Sequence, residues 1–225
     1  MVQAQAVVLD LDGLIVDTEP LHQRAFNALL KQLGVDYEFE TEEYGRCFVG
    51  IPVIYNADYV IERFNLRMQR EDLIFQREQI YEGLIADPQN LITMPGVFKL
   101  LEDLRARGLP LAVASGSPRV QVLTVLRGLG IIERFRAVVA GDDVAKTKPA
   151  PDVYLRATEK IGIPPGHCVA LEDSATGVTA AKAAGLRAIA VPNQYTSHQD
   201  LSHADARIPS LQVALEYVLD GQIVR

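Results

Sequence analysis

The sequence predicts an α/β protein: a Rossmann-like, doubly wound parallel sheet with a helical subdomain inserted near its N-terminus. Three observations carry that reading. Short apolar runs recur at Val7–Leu9, Leu109–Ala114, Ala137–Ala140, Cys168–Leu171 and Ala188–Val191, and unbroken runs of this kind mark strands covered on both faces. From Leu109 onward the runs alternate with helical patterns, as a parallel sheet requires. Between the first and second runs lie about a hundred residues, whereas a parallel crossover needs only about a dozen.

The first run ends in Asp10, followed by Leu11-Asp12-Gly13. Beyond it, Leu21, Ala25, Ala28 and Leu29 recur at helical steps over Pro20–Lys31, and Gly34 supplies the stop. The long insert is assigned to a helical cap over residues 16–87, leaving 1–15 and 88–225 as the α/β core. Within the cap, Val53, Tyr55, Tyr59, Val60 and Phe64 mark one helix, and Leu73, Phe75, Ile80 and Leu84 another. Pro95-Gly96 then opens a helix with Val97, Leu100, Leu101 and Leu104 on one face, ended by Gly108. After the second strand, Ser117 is the expected N-cap and Pro118 the first residue of a helix reaching Leu129. Further helices are expected from Pro151 to Ile161, up to Ala184 in the alanine-rich stretch, and over Pro209–Leu219.

Composition narrows the function classes. A chain of 225 residues accommodates one sizeable domain or a core with a smaller insert. With 48% apolar and 23% charged residues it has the make-up of a soluble globule. A net charge of −7 and a pI near 5.1 argue against nucleic acid as the main partner, which would demand a basic face. No basic-then-apolar leader and no run of about eighteen apolar residues is visible, so neither a secretory signal nor a membrane span is expected. Cys47 and Cys168 lack CxxC or Cys/His company, which points to two reduced thiols in a cytoplasmic protein and not to a zinc site.

Polar residues collect where the apolar runs stop. Asp10 and Asp12 follow the first, with a spacing that in extended geometry turns both carboxylates to one side. Two such groups need a cation, a shared proton or chemistry between them. Ser115-Gly116-Ser117 follows the second run, Lys148-Pro149 lies in the loop after the third, and Glu172-Asp173 closes the fourth. Open α/β sheets bind ligands at the carboxyl ends of their strands. Each residue alone has a bland reading: Ser115 as a helix cap, Lys148 as a solvated loop residue like Lys146, Glu172 and Asp173 as first-turn helix acids.

Asp10-Leu11-Asp12-Gly13 with Asp17-Thr18-Glu19, then Ser115, Lys148 and Glu172-Asp173, resemble in order the four motifs of the haloacid dehalogenase superfamily. The resemblance is to its phosphotransferase branch, the group of β-phosphoglucomutase and phosphoglycolate phosphatase. It implies a phosphatase acting on a small phosphorylated metabolite, a sugar phosphate above all, through an aspartyl-phosphate on Asp10. Asp12 would serve as acid and then base, and Ser115 and Lys148 would bind the phosphoryl group, with Gly116 and Ser117 beside it. Mg²⁺ would be held by the Asp10 carboxylate, the Asp12 backbone carbonyl and Asp173, with Glu172 a further ligand or one step removed.

The resemblance also offers His22 as a substrate contact, since relatives in the β-phosphoglucomutase branch carry a histidine in a similar stretch. One departure bears on the reaction. Those mutases follow a cap glycine, three residues later, with an arginine for the second phosphate, whereas Gly50-Ile51-Pro52-Val53 offers a valine. Losing such a charge-assisted contact forfeits about 1.5–3 kcal/mol. Hydrolysis is therefore favoured over a phosphosugar mutase, and both over a binding protein that has lost turnover.

Overall fold

The first strand, Ala6–Leu9 (β1), is buried along its whole length. It stands in the middle of a six-stranded sheet in the computed structural model, which describes residues 3–220. The other strands are Leu111–Ala114 (β2), Ala137–Val139 (β3), Cys168–Glu172 (β4), Arg187–Ala190 (β5) and Ala206–Arg207 (β6). Their spatial order is β3-β2-β1-β4-β5-β6, and every pairing is parallel. This is the doubly wound, Rossmann-like order, and the fold class expected from the sequence is the one observed. β1, β2 and β4 are buried throughout, which is why they read as unbroken apolar runs.

The register aligns the strand ends. Leu9 pairs with Val113 on one side and with Leu171 on the other. Asp10, Ser115 and Asp173 consequently leave the sheet along one rim. The chain passes from β1 outward to β2 and β3, then returns to β4 on the far side of β1. The crevice created by such a reversal opens at the carboxyl ends of β1 and β4.

The chain divides into two compact units, one running through Asp17 and resuming at Ile92, the other comprising Thr18–Leu91. The second is helical: Glu19–Gln32 (α1), Thr41–Cys47 (α2), Val53–Arg63 (α3) and Arg70–Ile85 (α4). Its core gathers Phe26, Phe39, Tyr44 and Phe48 with Leu29, Leu30, Val60 and Leu73. Burying a side chain of this size contributes about 1.5–3 kcal/mol. The sequence pattern does not reveal α2, because its seven residues make only about two turns.

The first unit also holds the helices Val97–Ala106 (α5), Arg119–Gly128 (α6), Asp152–Ile161 (α7), Ala175–Ala183 (α8) and Ala214–Asp220 (α9), of which α7 packs on β2 and β3 and α8 on β4 and β5. The second strand starts later than expected because Pro110 has no N–H to give to a ladder, although its carbonyl accepts from Val7 N–H at 3.1 Å. The closing helix also starts later than expected. A 3₁₀ turn, Leu211–Val213, precedes α9, and Arg187 donates to the carbonyls of Tyr217 and Val218 at 3.0 and 2.6 Å. β6 was not foreseen, since two residues carry no alternation. Cys47 and Cys168 are free thiols. Among the described residues no helix is long and apolar enough to cross a membrane.

Candidate active site

Asp10 follows β1 directly and is only 6% exposed, tied down by its N–H, which donates to Leu171 O at 3.1 Å. Three residues on, Gly13 has φ +79°, and a Cβ there would stand 2.4 Å from Asp173 Oδ2. Only glycine permits both the turn and the close approach of that carboxylate to the backbone.

Asp12 is held from the neighbouring strand end. Its Oδ2 accepts from Ser117 Oγ at 2.7 Å and from Ser115 Oγ at 3.3 Å, while Ser117 N–H donates to Ser115 Oγ at 3.0 Å. The expected capping role of Ser117 is therefore corrected. α6 begins at Arg119 with Pro118 in the cap position, and Arg119 N–H is taken up by Asp142 Oδ1 at 2.9 Å. Ser117 is turned the other way, toward the acid. Gly116, between the two serines, is exposed and contributes backbone alone.

Lys148 links the first and fourth strand ends. Its Nζ lies 2.5 Å from Asp10 Oδ1 and 2.7 Å from Glu172 Oε1, whereas Lys146 is exposed. Burial works against the ammonium charge, but Asp10 and Glu172 outweigh it and raise its pKa above the ordinary value. Asp10 experiences the converse. Burial pushes its carboxyl up to about 7, helped by Glu172 and Asp12 and opposed by Lys148.

Glu172 is wholly buried. Its Oε1 also accepts from Tyr154 OH at 2.6 Å, and its Oε2 from Ser174 Oγ at 3.2 Å. The carboxylate is pressed against the first turn of α8 so closely that a Cβ on Gly177 would fall 1.9 Å from its Cδ. Asp173, 5% exposed, accepts at Oδ2 from Asn193 Nδ2 at 2.9 Å.

Asp10, Glu172 and Asp173 each present an oxygen, all within 4.8 Å of one another. Three buried carboxylates with no nitrogen or sulfur donor among them fit a hard divalent cation, which prefers oxygen ligands. Asp10, Asp12, Ser115, Ser117, Lys148, Glu172 and Asp173 thus share one rim of the first unit. His22 belongs to the other unit, on α1. There it stacks on Tyr81 with ring centroids 4.1 Å apart and shares a hydrogen bond at Nδ1 with Arg77 Nη2. Burial and the Arg77 guanidinium hold its pKa well below the usual 6.5.

Two contributors were missed from sequence. Asn193 follows β5 and could have been found by asking what ends the fifth apolar run. Tyr154 lies on the inward face of α7, where an aromatic residue carries no mark that distinguishes it from core.

Residues 4–185 match the family model described as haloacid dehalogenase-like hydrolase. The chain is 37% identical to protein CbbY of Rhodobacter capsulatus, over 94% of its own length and 96% of that protein's. It is 32% identical to the phosphorylated carbohydrates phosphatase of Thermotoga maritima, over 82% and 83% of the two chains. Among solved structures, the D10N mutant of CbbY from Rhodobacter sphaeroides in complex with xylulose-(1,5)bisphosphate superposes with a TM-score of 0.76, at 34% identity over 95% and 96% of the two chains.

Proposed function

The chain belongs to the haloacid dehalogenase-like hydrolases, and we propose that within this family it is a Mg²⁺-dependent phosphatase of a small phosphorylated sugar. The observation that carries the reading is the bridge from Lys148 to both Asp10 and Glu172, with Asp173 beside them. It brings a buried carboxylate, an ammonium and an acidic cluster together from three separate segments, which supports reading them as nucleophile, phosphate-binding cation and metal site. The sugar phosphate class is supported by the phosphatase of T. maritima, named for phosphorylated carbohydrates, and by the CbbY complex with a sugar bisphosphate.

Asp10 attacks phosphorus, forming the Asp10–phosphoryl bond as the bond to the sugar oxygen breaks. Asp12, oriented by Ser117, gives its proton to the departing oxygen. Water then attacks the acyl phosphate, its proton passes to Asp12, and phosphate leaves with Asp10 restored. Lys148 and Ser115 hold the phosphoryl oxygens through both steps, where positioning and charge supply most of the acceleration. Asp10, Asp173 and the Asp12 backbone carbonyl would hold Mg²⁺, with Glu172 at their back. When bound, the ion neutralises phosphate charge and offsets repulsion among the carboxylates. The inserted helical unit, Thr18–Leu91, is the part assigned to sugar selection.

The test is phosphate release over a panel of sugar monophosphates and bisphosphates, with and without Mg²⁺, by the parent and Asp10→Asn. Release that needs Mg²⁺ and vanishes in the variant is expected. Unchanged hydrolysis by Asp10→Asn would remove the nucleophile. Accumulation of an isomeric sugar phosphate instead of free phosphate would replace hydrolysis with the mutase reaction.

A further inference from the structure

The side-chain amide of Asn193 is fixed within the turn that follows β5. Its Oδ1 accepts from Tyr195 N–H at 2.8 Å and from Thr196 N–H at 3.2 Å, and its own backbone N–H donates to Thr196 Oγ1 at 3.1 Å. Two backbone donors on one atom identify that atom as the oxygen, so the NH₂ group faces the opposite way. There it donates to Asp173 Oδ2 at 2.9 Å and to the Gly13 carbonyl at 3.0 Å. One neutral side chain thereby ties the end of β5 to the end of β4 and to the turn after β1.

We propose that Asn193 is a positioning residue for the divalent cation, acting through Asp173; this rests on the metal-dependent reading above. Its amide oxygen is committed to the turn and its nitrogen has no lone pair to offer, so Asn193 is not itself a ligand. What it does is restrain the Asp173 carboxylate and the Gly13 carbonyl through one shared donor group. The residue type follows from the charges nearby. A lysine donor would repel the cation, and an aspartate would face the Asp173 carboxylate with a second negative charge. A neutral double donor does neither. The absence of a side chain at Gly13 is part of the same arrangement, because a Cβ there would stand 2.9 Å from Asn193 Nδ2. Hydrogen-bond partners that orient ligating carboxylates matter about 10- to 100-fold in metal affinity or activity.

The test is calorimetric titration of Mg²⁺ into the intact chain, without substrate, for the parent and Asn193→Ala. The metal-free Tm of each is measured alongside. Expected is a Mg²⁺ dissociation constant raised about 10- to 100-fold, beyond whatever fall in metal-free Tm the lost turn hydrogen bonds bring. A residue needed only for the turn would instead lower that Tm and leave affinity intact. Asn193→Ser provides a second probe, since serine can still accept from the turn N–H groups but is too short to reach Asp173, and it should lose affinity equally. Parent-like Mg²⁺ binding in both variants overturns the inference and leaves the phosphatase reading standing. Failure of the parent to bind Mg²⁺ removes that reading and the inference with it. Loss of the fold in both variants, even in saturating Mg²⁺, makes Asn193 structural and also overturns the inference.

Discussion

The Tyr154 hydroxyl donates to Glu172 Oε1 at 2.6 Å, in a region where neither residue reaches solvent. The same oxygen receives the Lys148 ammonium, which lies 5.3 Å from the centre of the Tyr154 ring. Tyrosine thus backs the carboxylate that backs the lysine. Removing the hydroxyl in Tyr154→Phe leaves shape and packing in place and deletes one hydrogen bond to a charged acceptor. Such bonds contribute about 1.5–3 kcal/mol, and Lys148 still satisfies the oxygen, so a loss near the lower figure is expected in urea denaturation. A variant as stable as the parent would show that the hydroxyl adds nothing to this corner of the core.

Ser117 tests whether Asp12 needs a fixed orientation. The bond from Ser117 Oγ, at 2.7 Å, is shorter than the one from Ser115 at 3.3 Å. Positioned acid–base groups contribute about 10²–10⁴-fold, and Ser117→Ala should forfeit part of this by letting the acid turn. We expect kcat to fall about 10-fold with KM near the parent's, read from steady-state phosphate release. The opposite split, with KM raised and kcat kept, would return Ser117 to the substrate-binding role suggested by sequence.

The rim was legible in sequence because its residues follow strands that are apolar on both faces. Asp10, Ser115 and Asp173 each put a polar side chain directly after an apolar strand or its last residue. What escaped were residues whose partners are distant along the chain. Tyr154 meets Glu172 eighteen residues later and Asn193 reaches Gly13 across 180 residues, and no local spacing encodes either meeting. Ser117 was misread for a related reason. Followed by proline it satisfies the local rules for a helix cap, but Pro118 takes the cap position and the Ser117 hydroxyl donates to the Asp12 carboxylate, 105 residues away. The short elements α2 and β6 failed on length alone.

Lys148 is the cation on which two buried carboxylates depend. Substituting methionine keeps most of the stem and removes the charge, leaving Asp10 and Glu172 to face each other without it. Breaking a buried pair by removing one partner costs about 3–5 kcal/mol, so Lys148→Met should be destabilised by an amount of that order at pH 7. Phosphate release should fall below detection in the same preparation. Stability within 1 kcal/mol of the parent, on the scale of an exposed ion pair, would show that Lys148 is not needed to offset the buried charge.

His22 supplies a pH dependence of stability with a definite sign. Burial and the neighbouring Arg77 guanidinium lower its pKa well below 6.5 in the folded protein, while the unfolded chain titrates near the ordinary value. Above that value both states carry neutral imidazole and the residue adds no slope. As pH falls through 6.5 the unfolded chain takes up a proton that the folded one does not, so stability declines, and the decline ends only below the folded pKa. His22→Asn replaces the ring with a group that does not titrate. Measured as Tm between pH 7.5 and 5, the parent should lose more than the variant, the difference opening below about pH 6.5. Parallel curves for the two proteins would mean that His22 takes up its proton in the folded state as readily as in the unfolded chain.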